Sequence, residues 1–153
     1  MSRVIKNLNT VVLFSIITSF LIAQNAEAVC VKDKRANLRK GPGLHYQKLW
    51  EVFKYMPFKK IGQKGDWLRV KDLDEDIYWI FKKLVTKSYV CAVVKQDKTN
   101  LRTGPGTHHS KVPWSPVDKY FSMKVLQIKG QWVEIEDSVG DTGWIYRPLI
   151  WIQ

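Results

Sequence analysis

The sequence is poor in the residues on which most catalytic and metal chemistry depends. Its 153 residues include two cysteines and three histidines. It has no H-E-x-x-H, no C-x-x-C and no phosphate-cradling G-x-x-x-x-G-K, which excludes the commonest zinc-protease, thiol-redox and nucleotide-binding patterns. His108 and His109 are neighbours, and in an extended chain their side chains point to opposite sides, whereas a zinc site needs three or four convergent ligands. Asp72, Asp74, Glu75 and Asp76 lack the spacing of a calcium loop and are expected to form a solvated acidic turn. No metal and no cofactor is therefore expected. Acidic residues are also scarce, 14 against 25 lysines and arginines, giving a net charge of +11. Such a balance favours anionic partners: nucleic acid, anionic lipid or a polyanionic wall polymer. A long apolar run is missing too. The uncharged run from Val11 to Ala23 is well short of the ~20 residues that span a bilayer.

That short run has a meaning of its own. Arg3 and Lys6 precede it, and Ala26-Glu27-Ala28 follows. A positive start, a short apolar core and an A-x-A end read as a secretory signal peptide over 1–28, cleaved after Ala28. Export to the periplasm or the extracellular space argues against a nucleic-acid partner. It also permits a disulfide, and Cys30 and Cys91 are the candidate pair. They could be bridged if their Cα atoms come within about 7 Å; two separate buried thiols are the alternative.

The rest of the chain is written twice. Ala36-Asn-Leu-Arg-Lys-Gly-Pro-Gly43 returns as Thr99-Asn-Leu-Arg-Thr-Gly-Pro-Gly106. Gly65-Asp-Trp-Leu-Arg-Val-Lys-Asp72 returns as Gly130-Gln-Trp-Val-Glu-Ile-Glu-Asp137, and Tyr78-Trp-Ile80 as Gly143-Trp-Ile145. The offset of 63 between Asn37 and Asn100 grows to 65 between Trp67 and Trp132, so the second copy carries two extra residues between Gly106 and Ser122. In Trp67–Lys71 and Trp132–Glu136 apolar and charged residues alternate with a period of two, the mark of half-buried antiparallel strands. Lys64-Gly65 and Lys129-Gly130 read as tight hairpin turns, and Asp72–Asp76 and Asp137–Asp141 as the next turns. No stretch after residue 28 shows a convincing helical period. Leu38 and Leu101 are expected to point inward at the end of a first strand. Gly-Pro-Gly then breaks the ladder, its glycines accepting backbone angles other residues resist, and a long loop follows. Two small, partly open β-barrels result, over 29–88 and 89–153. Lys82–Ser88 holds no glycine or proline, so the barrels are expected to pack against each other rather than swing on a tether.

The series N-L-R-x-G-P-G, G-x-W-x-x-V/I and closing G-W-I, present twice in order, resembles the bacterial SH3 family over essentially all of residues 30–151. Tyr78 departs from the closing glycine usual there. The resemblance implies an all-β fold of two tandem SH3-like barrels behind the signal helix, and an extracytoplasmic targeting module of a kind that often binds cell-wall peptide or glycan. It also implies a groove beside the first long loop. Candidate groove residues are Tyr46, Trp50, Trp67, His109, Trp114 and Trp132, since ring faces suit sugars and extended peptides. Tyr46, Trp50 and Trp114 would share one groove wall, or else form the interface between barrels. The charge lies mainly in the first copy, where Arg39, Lys40, Lys59 and Lys60 are candidates for an anionic polymer or lipid surface.

Wall hydrolases resembling this family carry a separate catalytic domain, for which the two copies leave little chain. Cys30 or Cys91 with a loop histidine is the one conceivable nucleophile pair, but a cysteine starting a strand is read as structural. The expectation is an exported, non-enzymatic binder of peptidoglycan or of an envelope protein. A partner or inhibitor of a periplasmic enzyme is the alternative, and an unrecognised cysteine hydrolase a more distant one.

Overall fold

The computed structural model describes residues 27–153. The signal peptide expected over 1–28 lies outside them, except that Glu27 and Ala28 open the first strand. Seven strands form the first unit: β1 (Glu27–Val31), β2 (Arg35–Arg39), β3 (Lys48–Phe53), β4 (Pro57–Lys64), β5 (Trp67–Lys71), β6 (Ile77–Phe81) and β7 (Val85–Thr86), in the sheet order β3-β2-β6-β5-β4-β1-β7. The second has β8 (Cys91–Val94), β9 (Ser122–Lys129), β10 (Trp132–Glu136), β11 (Thr142–Tyr146) and β12 (Ile150–Ile152), ordered β11-β10-β9-β8-β12. The pairing is antiparallel throughout. The chain is all-β, as its alternation predicts, and the only helical pieces among the described residues are the 3-10 turns Lys82–Leu84 and Arg147–Leu149.

Local chemistry explains the shared path. Lys64 pairs with Trp67 and Lys129 with Trp132, leaving two-residue turns in which Gly65 and Gly130 have φ of +56° and +59°. These are left-handed angles that glycine adopts at little cost. The eight-residue strands β4 and β9 are each interrupted by a register shift, the bulge that bends a long strand enough to curl its sheet. In the second unit no regular strand matches β3. Pro113 and Pro116 occupy that stretch, and proline cannot donate to a ladder. Isolated bridges Thr99–Val117 and Arg102–Lys111 stand in its place.

Each unit has its own core. Leu38, Phe58, Leu68, Val70 and Ile80 lie in one, and Leu101, Met123, Val133, Ile135 and Ile145 in the other. Strand β8 joins them. All four of its residues are buried: Ala92 and Val94 sit in the second core, while Val93 sits in the first. Cys91 faces the same side as Val93 and bonds to Cys30, with Cα atoms 6.0 Å apart. Tyr55 and Tyr89 pack around that disulfide. The units also exchange tyrosines. Tyr55 donates to Glu136 Oε1 at 2.7 Å, and Tyr120 donates to Asp74 Oδ2 at 2.6 Å. Both have positive φ, 71° and 69°, an unfavourable conformation for a bulky residue. With Ser122 Oγ bonded to the carbonyl of Lys54 at 2.8 Å, the barrels meet across a continuous seam, as the short connection predicts.

Burial, and then Glu136, pushes the Tyr55 hydroxyl from 10.0 up to about 12. Burial, and then the charge of Asp72, does the same for Tyr78. A raised pKa contributes stability that is complete below the unfolded value and lost as pH rises through the folded one. The denaturant midpoint is therefore expected to fall between pH 10 and about 12. Tyrosinate absorbance should show both groups ionising late or only with unfolding.

Candidate functional site

The repeated Gly-Pro-Gly loops are compact. The N–H of Lys40 reaches the carbonyl of Gln47, and that of Thr103 the carbonyl of Ser110. These bonds close the base of each loop; in the second copy the irregular path continues to Ser122, where β9 begins. Arg39 donates to the carbonyls of Leu44 and Tyr46, and Arg102 to that of His109 at 2.7 Å, which explains the arginine in both copies. The glycines serve a purpose other than backbone freedom, since none in these loops has positive φ. A Cβ on Gly41 would lie 2.3 Å from the Tyr46 ring, and one on Gly104 2.6 Å from His109. Gly43 and Gly106 lie under His45 and His108 in the same way. Rings rest directly on glycine backbone. His108 and His109 do not point to opposite sides; their centroids are 4.1 Å apart. Gly104→Ala should cost about 1–3 kcal/mol through this overpacking. Most of that cost should vanish in a His109→Ala background, as a double-mutant cycle of chemical melts would show.

Between the barrels lies a cleft of about 720 Å³. Strand β3 supplies Trp50 and Phe53, 62% and 55% exposed. Tyr78 and Met56 form the floor, and Pro116–Ser122 of the second barrel form the opposite wall. The loop after β5 brings Asp72, Asp74 and Asp76 to the rim. The turn expected there exists, but it is not wholly solvated. Asp72 is 5% exposed, its Oδ1 accepts the N–H groups of Asp74 and Asp76, and its Oδ2 lies 3.2 Å from the Tyr120 hydroxyl, whose single proton it shares with the nearer Asp74 Oδ2. Burial holds its pKa above the ordinary carboxylate value, against the lowering effect of those bonds. Asp74 behaves oppositely: bonds from Lys119 and then Tyr120 lower it.

A second groove, about 610 Å³, lies on the second barrel between Asn100, Arg102, His108, Trp132 and Tyr146. The Trp132 ring is 5.7 Å from Tyr146, and the equivalent Trp67 is 5.5 Å from Phe81.

The candidate aromatics therefore do not converge. Trp50 lines the cleft, Trp132 the second groove, and Tyr46 and His109 are folded onto their glycines. Trp114 stacks on Phe121 at 5.7 Å and lies over Gly143, on the edge of the second core. The single wall expected of Tyr46, Trp50 and Trp114 is not formed, because the proline-bearing segment carries Trp114 along a different path from β3. Of the basic candidates, Arg39 is spent on its loop, Lys60 pairs with Glu27 at 3.2 Å, and Lys59 lies 5.8 Å from the Trp151 ring. Lys40 is exposed, with no ion pair among the described residues. The disulfide consumes both cysteines, so neither offers a thiolate to His45, His108 or His109. Phe53, Tyr78 and Tyr120 also line the cleft, and no local motif in the sequence marks them as site residues. Tyr55 and Tyr120 do align at the 65-residue offset of the later repeat, a signal that would have marked the seam.

A sequence model of the family described as bacterial SH3 domain matches residues 32–87 and 95–151. The chain is also similar to YrvJ of Bacillus subtilis (strain 168), named as a candidate N-acetylmuramoyl-L-alanine amidase. The two are 27% identical over 151 residues, covering 92% of this chain and 28% of that protein. Solved structures similar to it include an NlpC/P60 family protein from Bacillus cereus ATCC 10987, with TM-score 0.37 and 11% identity over 83% of this chain and 56% of that one. NlpC1 from Trichomonas vaginalis aligns with TM-score 0.36 and 13% identity, over 90% of this chain and 50% of that one. The chain spans 28% of the length of the curated relative.

Proposed function

The chain belongs to the bacterial SH3 domain family, and from that premise we propose that it is an exported, non-enzymatic binding protein that recognises cell-wall peptidoglycan in the cleft between its barrels. The observation that carries this reading is the cleft itself. Trp50 and Phe53 are large apolar rings left open to solvent beside Tyr78, in a space of about 720 Å³. Exposed rings of this kind give flat, rigid contact area to sugars or extended peptides at small entropic cost. The named chemistry of the Bacillus subtilis relative, on N-acetylmuramoyl-L-alanine, supports the choice of wall material. Cleavage after Ala28 removes Arg3, Lys6 and Glu27 from a chain of net charge +11 and leaves +10, which would raise the local concentration of an anionic polymer and make retention sensitive to salt.

Co-sedimentation with purified sacculi across a salt series tests the proposal. The protein should be retained, with retention declining as salt rises. Trp50→Ala should lower it about tenfold or more without moving the melting temperature, since the ring is exposed. Absence of retention, with selective recovery of one envelope protein instead, would favour a protein partner.

A further inference from the structure

Deepening that reading, and resting on it, we infer that the cleft selects a free primary amine on a short wall peptide, with the ammonium group held between the Asp72–Asp76 loop and Asp118. The charge around the cleft is the reverse of the charge on the protein. Five of the chain's 14 acidic residues line it, Glu51, Asp72, Asp74, Asp76 and Asp118, against Lys119 alone of its 25 lysines and arginines. Two of the five are already matched. Glu51 pairs with Arg35 at 3.2 Å and Lys48 at 3.0 Å, and Asp74 with Lys119 at 2.8 Å.

Asp72, Asp76 and Asp118 have no ion pair among the described residues. Asp76 and Asp118 are exposed on opposite sides of the cleft, one from each barrel. Asp72 is buried, and its charge is met only by two N–H groups and a share of the Tyr120 hydroxyl, which lies closer to Asp74. A buried carboxylate without a counter-cation is costly. An entering ammonium supplies the missing charge, and the open face of Trp50 offers it a cation–π contact, the Phe53 ring already having Arg35 over it at 6.0 Å. A metal ion is a poorer occupant, because no three carboxylates among the described residues come close enough together to hold one. An anionic glycan chain alone would meet repulsion from this rim. The basic exterior and the acidic cleft thus do different things: the first draws the protein to an anionic polymer, and the second reads an amine carried on it.

The test titrates the intact, oxidised protein with acetyl-Ala-Lys-Ala-amide and with the same peptide acetylated on Nζ of its lysine, following the indole N–H of Trp50 by NMR. A saturable shift is expected for the free amine, with affinity about tenfold or more weaker for the acetylated peptide. The double variant Asp76→Asn, Asp118→Asn should lose the same discrimination; both residues are exposed, and an unchanged melting temperature will show that the fold is intact. Equal affinity for the two peptides, or no saturable shift at Trp50, overturns the inference. Sacculi with their amines acetylated form a second arm, and retention should fall about tenfold there as well. If retention is unchanged on acetylated sacculi, the amine inference fails and the wall reading stands. If native sacculi are not retained while the peptides are still discriminated, the wall reading fails and the amine site stands.

Discussion

Replacing both cysteines, Cys30→Ala with Cys91→Ala, should lower the unfolding free energy by about 4 kcal/mol, the loop-entropy value for a closed loop of this size. The cross-link spans 61 residues, so without it the unfolded chain gains a large set of conformations. Two further facts make the loss serious. A barrel of roughly 60 residues is marginal on its own, and the bridge ties β1 of one barrel to β8 of the other, where the cores meet. Guanidinium melts of the oxidised protein and the double variant would measure the difference. A change below about 1 kcal/mol would mean that Tyr55, Tyr89 and Val93 hold the seam without covalent help.

Val93→Asp should be at least as damaging, about 4 kcal/mol or more. Val93 belongs to a strand of the second barrel, yet it is 0% exposed within the core of the first. A carboxylate there would be buried with no cation beside it. Because the residue serves both halves, they should weaken together. Fluorescence from the tryptophans of both barrels should report one transition at a lower temperature. If the second barrel kept its own unchanged transition, the two cores would be energetically independent and the seam would be a contact rather than a shared interior.

Much of this was legible in the sequence because it is decided locally. The two-residue turns at Gly65 and Gly130 follow from short-range backbone chemistry, and Leu68, Val70, Val133 and Ile135 point inward by simple alternation. What the sequence hid depends on distant neighbours. The buried run Cys91-Ala-Val-Val94 gives no sign that its two faces enter different cores. Gly41 and Gly104 look like turn residues until the rings above them are seen. Asp72 reads as one of several acids in an exposed turn, and only the second barrel, through Tyr120, encloses it. The cleft could not be read from either copy alone, since each supplies one wall.

That joint cleft is the centre of the account, and hydrogen exchange tests it most directly. Amide exchange of the oxidised protein should be compared free and on purified sacculi. Protection confined to Trp50–Phe53, Asp72–Tyr78 and Pro116–Ser122, on both sides of the seam, is the predicted result. Protection centred instead on Trp132 and Tyr146, with those three segments unchanged, would contradict it.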